Sequence, residues 1–223
     1  MKSLLSKIEQ FYRDNVVFKA SAKCEEFSNI KSYKINPLQT NLLSNLFNGN
    51  VEAYNIAKIL FTHKIVHSTS TSMGNKLQEM IVELGLAKGS PLAGMDVEFK
   101  SHIDGRDKFW QLKSGPNVLN SPDIKTIKDH FNGILNRSRT NHLPISNIDL
   151  CVGLFYGEPN EMSSILKEVD KTFPVIMGAE FWHSLTGYPQ FYGELIKTFN
   201  KVANELDGSK IVKESILKLS KQI

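Results

Sequence analysis

Cysteine is nearly absent, with only Cys24 and Cys151 among 223 residues. That scarcity excludes a disulfide framework and a cysteine zinc cluster, and it makes a reducing cytoplasm the default compartment. No stretch approaches the roughly 20 apolar residues needed to cross a bilayer, so no membrane partner is expected. Residues Met1–Gln10 lack the apolar core and cleavage site of a signal peptide. No Gly-x-Gly and no Gly-Lys-Ser/Thr string occurs, which argues against a nucleotide cofactor. A long basic block is missing too. The 27 basic and 23 acidic residues leave a formal net charge of +4, so any nucleic acid would bind folded surface rather than a charged tail. His63 and His67 stand four apart, but no His-Glu-x-x-His string and no third ligand accompany them, so they read as ordinary helix residues. Internal repeats and low-complexity segments are also absent.

The residues present, 41% hydrophobic and 22% charged, suit an ordinary globular protein with one good core. Leu4, Leu5, Ile8 and Phe11 recur at helical spacing. Asn36-Pro37 marks a second helix start, followed by a stripe of Leu38, Leu42, Leu43, Leu46 and Phe47, and Asn48-Gly49-Asn50 stops it. A third helix is predicted from Val51 to about Val66. The polar run His67–Ser72 then leads into a helix whose buried face is Met73, Leu77, Ile81 and Leu84. The period next changes to two. Met95–Phe99 reads as a strand, Asp104-Gly105 as a turn and Asp107–Lys113 as the returning strand. A helix beginning near Ser121-Pro122 buries Ile124, Ile127, Phe131, Ile134 and Leu135. Ile148–Tyr156 is a continuous apolar strand of the kind covered on both faces. A helix over Met162–Val169, a strand over Pro174–Met177 and two terminal helices complete the chain. The order predicts an α/β sandwich: a mixed central sheet flanked by helices, with added N-terminal helices. Residues 1–66 read as a helical region for dimerisation or for clasping a ligand. Residues 67–223 read as the functional domain, in one continuous core with the first region.

Alternation places Asp96 and Glu98 on one face of their strand, and Gln111 and Lys113 on one face of the next. Strands joined by a hairpin lie about 5 Å apart, so these side chains can converge. Carboxylates with a neighbouring ammonium suit phosphodiester hydrolysis. The acids hold a divalent metal against a phosphate oxygen, and the lysine orients water or offsets developing charge. Magnesium fits an all-oxygen set of carboxylates, amide and backbone carbonyls such as that of Leu112, and waters. Gln111 supplies only a neutral oxygen, so a second carboxylate is needed, and Glu98 and Glu79 are the candidates.

The strings Gly94-Met95-Asp96-Val97-Glu98-Phe99 and Gln111-Leu112-Lys113-Ser114-Gly115-Pro116-Asn117 resemble the PD-(D/E)xK nuclease superfamily, and within it the type II restriction endonucleases. The likeness spans roughly residues 72–155, and Gly178-Ala179-Glu180-Phe181-Trp182 resembles a later segment. Asp96 matches the first acid of that family and Lys113 its lysine. Gln111 departs from the usual Glu or Asp, and Glu79 matches a glutamate carried on the preceding helix. The resemblance implies a restriction-endonuclease-like core, Mg²⁺, double-stranded DNA cut to leave 5′-phosphates, and a prokaryotic cytoplasm. A homodimer follows from symmetry, because a two-fold protein pair presents one site to each strand of a palindrome. Candidate DNA contacts are Ser114, Asn117, Lys125, Lys128, Asn132, Asn136, Arg137 and Arg139, with Ser114 or the helix start near Ser121 as phosphate donors. Other readings are a repair or junction nuclease of the same superfamily, and a catalytically inactive DNA-binding protein.

Overall fold

The computed structural model describes residues 1–223. It divides into two compact units, one of Met1–Ile8 with Leu77–Thr198 and one of Glu9–Lys76 with Phe199–Ile223.

The first unit holds a five-stranded sheet in the order β1-β2-β3-β4-β5, built from β1 (Lys88–Gly89), β2 (Val97–Lys100), β3 (Asp107–Lys113), β4 (Leu150–Leu154) and β5 (Val175–Met177). The β1–β2 and β2–β3 pairs are antiparallel, while the β3–β4 and β4–β5 pairs are parallel. This is the mixed sheet the sequence predicts, with the two-residue edge strand β1 as an addition. At the hairpin, Asp104 Oδ1 accepts from the Arg106 N–H at 3.2 Å. The β4 strand is buried at every position, because both faces of the sheet are covered. One face packs Ile127, Phe131, Ile134 and Leu135 of α5 (Ser121–Thr140), together with Leu166 and Val169, against Leu150, Val152 and Leu154. On the other face Trp110 meets Phe99 edge-on at 4.8 Å and Phe181 at 5.4 Å. Phe181 belongs to the helix Gly178–Thr186, whose Trp182 donates its indole N–H to the Phe155 carbonyl at 2.9 Å.

The second unit is helical. Its helices include α2 (Phe18–Glu26), which a short π-helical stretch joins to α1 (Lys2–Tyr12), and α3 (Pro37–Asn48). Cys24, Phe27, Ala57, Phe61, Ile216 and Leu219 form its core. The α3 helix starts where the sequence places it, with the Asn36 side chain accepting from the Leu38 N–H at 3.0 Å. Its orientation is unusual: Thr40 and Ser44 are its buried residues, whereas Leu38, Leu42, Leu46 and Phe47 are exposed.

The sequence reading of α4 needs correction. Instead of two helices separated by the polar run His67–Ser72, one helix of 31 residues, Ala53–Glu83, runs through it. The hydroxyls are satisfied without breaking the helix. Ser68 and Ser72 accept from Lys23 Nζ at 2.5 and 3.2 Å, and Thr71 donates to the His67 carbonyl at 3.1 Å. Tertiary partners here override the weak helix preference of serine and threonine.

Candidate active site

Asp96 stands immediately before β2. Its N–H donates to the Trp110 carbonyl at 2.9 Å, and its Oδ2 accepts from the Leu112 N–H at 2.6 Å. The pairing of β2 with β3 begins at Val97 opposite Trp110, and Asp96 precedes it. Gln111 and Lys113, two apart on β3, share one face. The Asp96 carboxylate is anchored on the residue between them, near the carboxyl end of β3 and beside the parallel strand β4. Crevices outside such strand ends are where open α/β sheets bind ligands.

The local sequence explains how Asp96 is held. Met95 is buried in the core below the sheet and donates its N–H to the Leu92 carbonyl at 3.0 Å. Gly94 turns the chain with φ 85°, and a Cβ at that position would run into the His130 ring of α5. The carboxylate is then fixed by a charge-assisted hydrogen bond to the backbone of the strand it faces. After Lys113 the chain passes through Gly115, which lies directly under the Tyr156 ring and leaves no room for a side chain.

Gln111 carries the most informative atom. Its Oε1 is buried and has no hydrogen-bond partner. A buried acceptor left unmatched costs about 1–3 kcal/mol, so this oxygen is poised to meet a cation or a donor. The Leu112 N–H points toward Asp96, and the carbonyl of a strand residue points to the same edge as its N–H. The Leu112 carbonyl therefore lies on the Asp96 side as well.

A family model described as type II restriction endonuclease EcoO109I matches residues 6–207, which is most of the chain. The chain belongs to the EcoO109I family of type II restriction endonucleases. This is a PD-(D/E)xK-like nuclease family, and the mixed sheet with its helical extension is consistent with a restriction-endonuclease-like core. Among curated proteins, none matches the chain.

The candidate residues of this EcoO109I-family chain are not all brought together. Glu98 stands opposite Phe109 and is flanked on its other side by Lys88. Phe109 is four residues from Lys113, about 13 Å along a strand, so Glu98 lies toward the far end from the lysine. Glu79 is an exposed residue of α4 beside buried Met80. No group of three acidic, histidine or cysteine side chains converges. Ser114 follows Lys113 in a partly buried position, and Asn117 is exposed in the turn leading to α5. On α5, Lys125, Lys128, Asn132, Asn136 and Arg139 succeed one another in steps of three and four along one face, while Arg137 lies off that row. Lys128 is already engaged with Glu168 at 3.0 Å, whereas Lys125, Asn132, Asn136, Arg137 and Arg139 are exposed.

A second charged cluster sits at the other end of the sheet. Asp149, 1% exposed, precedes β4 and accepts from Arg106 at 2.6 and 2.5 Å and from the Ser146 N–H and hydroxyl at 2.9 and 2.8 Å. Burial pushes its pKa up, but these donors and the Arg106 charge outweigh it and bring the carboxyl down to about 2. Lys108 Nζ, 3.6 Å from the same carboxylate, bonds the Ile148 carbonyl at 3.0 Å. The Asp149 carboxylate is thus held by donors from the β2–β3 turn and from the segment before β4, as befits a cluster that fastens the sheet.

Sequence reasoning found the hairpin residues but missed two features. Neither the contact of His130 with Gly94 nor the burial of Gln111 Oε1 leaves a local signal. A glycine two residues before the first acid was the only hint of the former.

Proposed function

We propose that this chain is a magnesium-dependent, site-specific deoxyribonuclease that hydrolyses double-stranded DNA, leaves 5′-phosphates and works as a pair of identical subunits. The observation that carries this reading is the Asp96 carboxylate anchored on the Leu112 N–H, with the buried, unpartnered Gln111 Oε1 and Lys113 belonging to the residues on either side of Leu112. The donor set fits Mg²⁺: the free oxygen of Asp96, the Gln111 amide oxygen and the Leu112 carbonyl are hard ligands, and magnesium keeps several waters. Bound there, the metal supplies positive charge against the scissile phosphate. Glu79 and Glu98 are candidates for the second carboxylate.

The remaining work falls to the chain's own groups. Lys113 directs the attacking water toward phosphorus, in line with the departing 3′ oxygen, and its ammonium offsets the charge that builds on the phosphate. Ser114 and Asn117, next along the chain, are placed to donate to the same phosphate. Lys125, Lys128 and Arg139 of α5 neutralise backbone phosphates, while Asn132, Asn136 and Arg137 are candidates for base edges. Two copies give one site per strand of a palindromic duplex.

The test is digestion of plasmid DNA with magnesium. Discrete linear fragments are expected, and Asp96→Ala or Lys113→Ala lowers the rate at least about 10²-fold while duplex binding persists. The neutral Gln111 in the place of an acid favours one competing reading, an inactive DNA-binding protein. Duplex binding without any magnesium-dependent cleavage would select it, and preferential cutting of branched DNA would select a repair or junction nuclease.

A further inference from the structure

The β3 and β4 strands leave the sheet side by side. Their last residues, Lys113 and Leu154, pair in the parallel register, and the Phe155 N–H donates to the Lys113 carbonyl at 3.3 Å. Tyr156 follows and folds over the chain beyond Lys113. The atoms that a Gly115 Cβ would meet first are Cζ, Oη and Cε1 of Tyr156, so the hydroxyl end of the phenol lies over Gly115. Gly115 does not have the positive φ that demands glycine at Gly94 or Gly105. Its backbone would accept another residue, and the close approach of the phenol is what excludes a side chain there. Tyr156 is nevertheless 53% exposed, and its hydroxyl has no hydrogen-bond partner within the chain. Tyr33, by contrast, is half-buried and donates to the Phe27 carbonyl at 2.7 Å.

We propose that the Tyr156 hydroxyl is a further DNA contact of the candidate active site, donating its proton to a phosphate oxygen of the strand that Lys113 engages. The chemistry selects a phosphate. An exposed hydroxyl exchanges water for a ligand oxygen at little cost. A phosphate oxygen is a charged acceptor, which makes the stronger kind of hydrogen bond. Tyrosine hydroxyls are among the groups that fix a protein's register on the DNA backbone. The neutrality of the phenol suits its place. A second cation beside the Lys113 ammonium would be repelled by it, whereas a phenol adds direction without charge. The rigid ring has only two side-chain torsions, so holding its hydroxyl in one place costs little entropy. The proposal rests on the nuclease reading. It adds to Lys113, Ser114 and Asn117 a residue from beyond the neighbouring strand.

Duplex binding and cleavage, measured in parallel on the full chain, test it. Binding is read from the fluorescence anisotropy of a labelled mixed-sequence duplex in EDTA, and cleavage from plasmid digestion with magnesium. Tyr156→Phe keeps the ring over Gly115 and removes only the hydroxyl. It is expected to weaken duplex binding and to raise the plasmid KM about 10-fold. The salt dependence of binding keeps its slope, because a neutral donor releases no counterion. Gly115→Ala pushes the phenol aside and should lose as much, and adding it to Tyr156→Phe should cost little more. Thermal melts confirm that the variants fold. Should Gly115→Ala not fold, Tyr156→Phe carries the test by itself. A Tyr156→Phe protein that binds and cuts like the wild type overturns the proposal and leaves the nuclease standing. A loss seen in Tyr156→Ala but not in Tyr156→Phe overturns it too, because the ring then only packs. So does a shallower salt slope in Tyr156→Phe, which would place the loss in a cation. A wild type that binds no duplex overturns both readings. If the wild type binds duplex, loses that affinity in Tyr156→Phe and never cuts, the nuclease reading fails and the phosphate contact stands.

Discussion

The α3 and α5 helices open with similar signals and finish in opposite environments. Each begins at an asparagine followed within two residues by proline, and each carries apolar residues at helical spacing. The α5 helix turns Ile127, Phe131, Ile134 and Leu135 onto the sheet and keeps its lysines, arginines and most of its asparagines outside. The α3 helix turns Thr40 and Ser44 inward and its leucines out. Helical period therefore reports that a helix has an apolar face, but not what that face meets. On α5 the answer is the chain's own sheet, which offers a large apolar surface to cover. The inner side of α3 is satisfied by two hydroxyl–carbonyl bonds, and its apolar surface stays exposed.

The strongest way to break that contrast is to truncate a side chain on the inward face of α5. Phe131 is fully buried and meets Phe173 edge-on at 4.8 Å. Phe131→Ala is expected to lower folding stability by about 3–5 kcal/mol, read from urea unfolding. A loss below 1 kcal/mol would mean that α5 is not part of the core.

The charged cluster at the amino end of β4 sharpens the comparison through pH. The folded-state pKa of Asp149 is about 2, below its ordinary value near 4. A depressed acid contributes stability above the unfolded pKa, and that contribution disappears as pH falls through the folded one. The contribution is about 2 kcal/mol, complete above roughly pH 5 and lost between about pH 4 and 2. In urea unfolding, the stability gap between wild type and Asp149→Asn should close over that window. A gap that stays constant from pH 6 to pH 2.5 would show that the Arg106 and Ser146 bonds do not perturb the carboxyl.

Gly94 joins α5 to the proposed catalytic hairpin. Its φ of 85° costs a side-chain-bearing residue about 1–2 kcal/mol, and a Cβ meets the His130 ring. Gly94→Ala should lower stability by that amount or more and displace Asp96. Misplacement of a catalytic group by about 1 Å costs on the order of 10² in rate. Adding His130→Ala relieves the collision but not the backbone strain, so part of the stability should return. A double variant no more stable than the single one would place the whole cost in the backbone.

Much of the sheet was legible because its rules are local. Alternation and the Asp104-Gly105 turn announced the antiparallel hairpin of β2 and β3, and the unbroken apolar run at β4 announced a strand covered on both faces. The unread parts depend on distant partners. The Ser68–Ser72 stretch looked like an interruption because its helix is supported by Lys23, 45 residues away from Ser68 in sequence. The β1 strand is two residues long and has no period to detect. Glu98 looked equivalent to Asp96 because alternation places both on one face. The register puts it opposite Phe109 and beside Lys88, and that pairing is fixed only once β1 folds back onto β2.

The smallest expected effect isolates local from tertiary control within α3 itself. Asn36 accepts from the Leu38 N–H, and removing such a cap typically costs about 1 kcal/mol. Leu42, one turn further on, is 65% exposed, and truncating an exposed side chain in a monomer changes stability by less than about 0.5 kcal/mol. Asn36→Ala should therefore destabilise more than Leu42→Ala does, as read from urea unfolding. The usual order for a polar cap and a leucine in an amphipathic helix is the reverse. If Leu42→Ala costs about 2 kcal/mol or more, Leu42 is packed within the chain rather than exposed, and the contrast between α3 and α5 disappears.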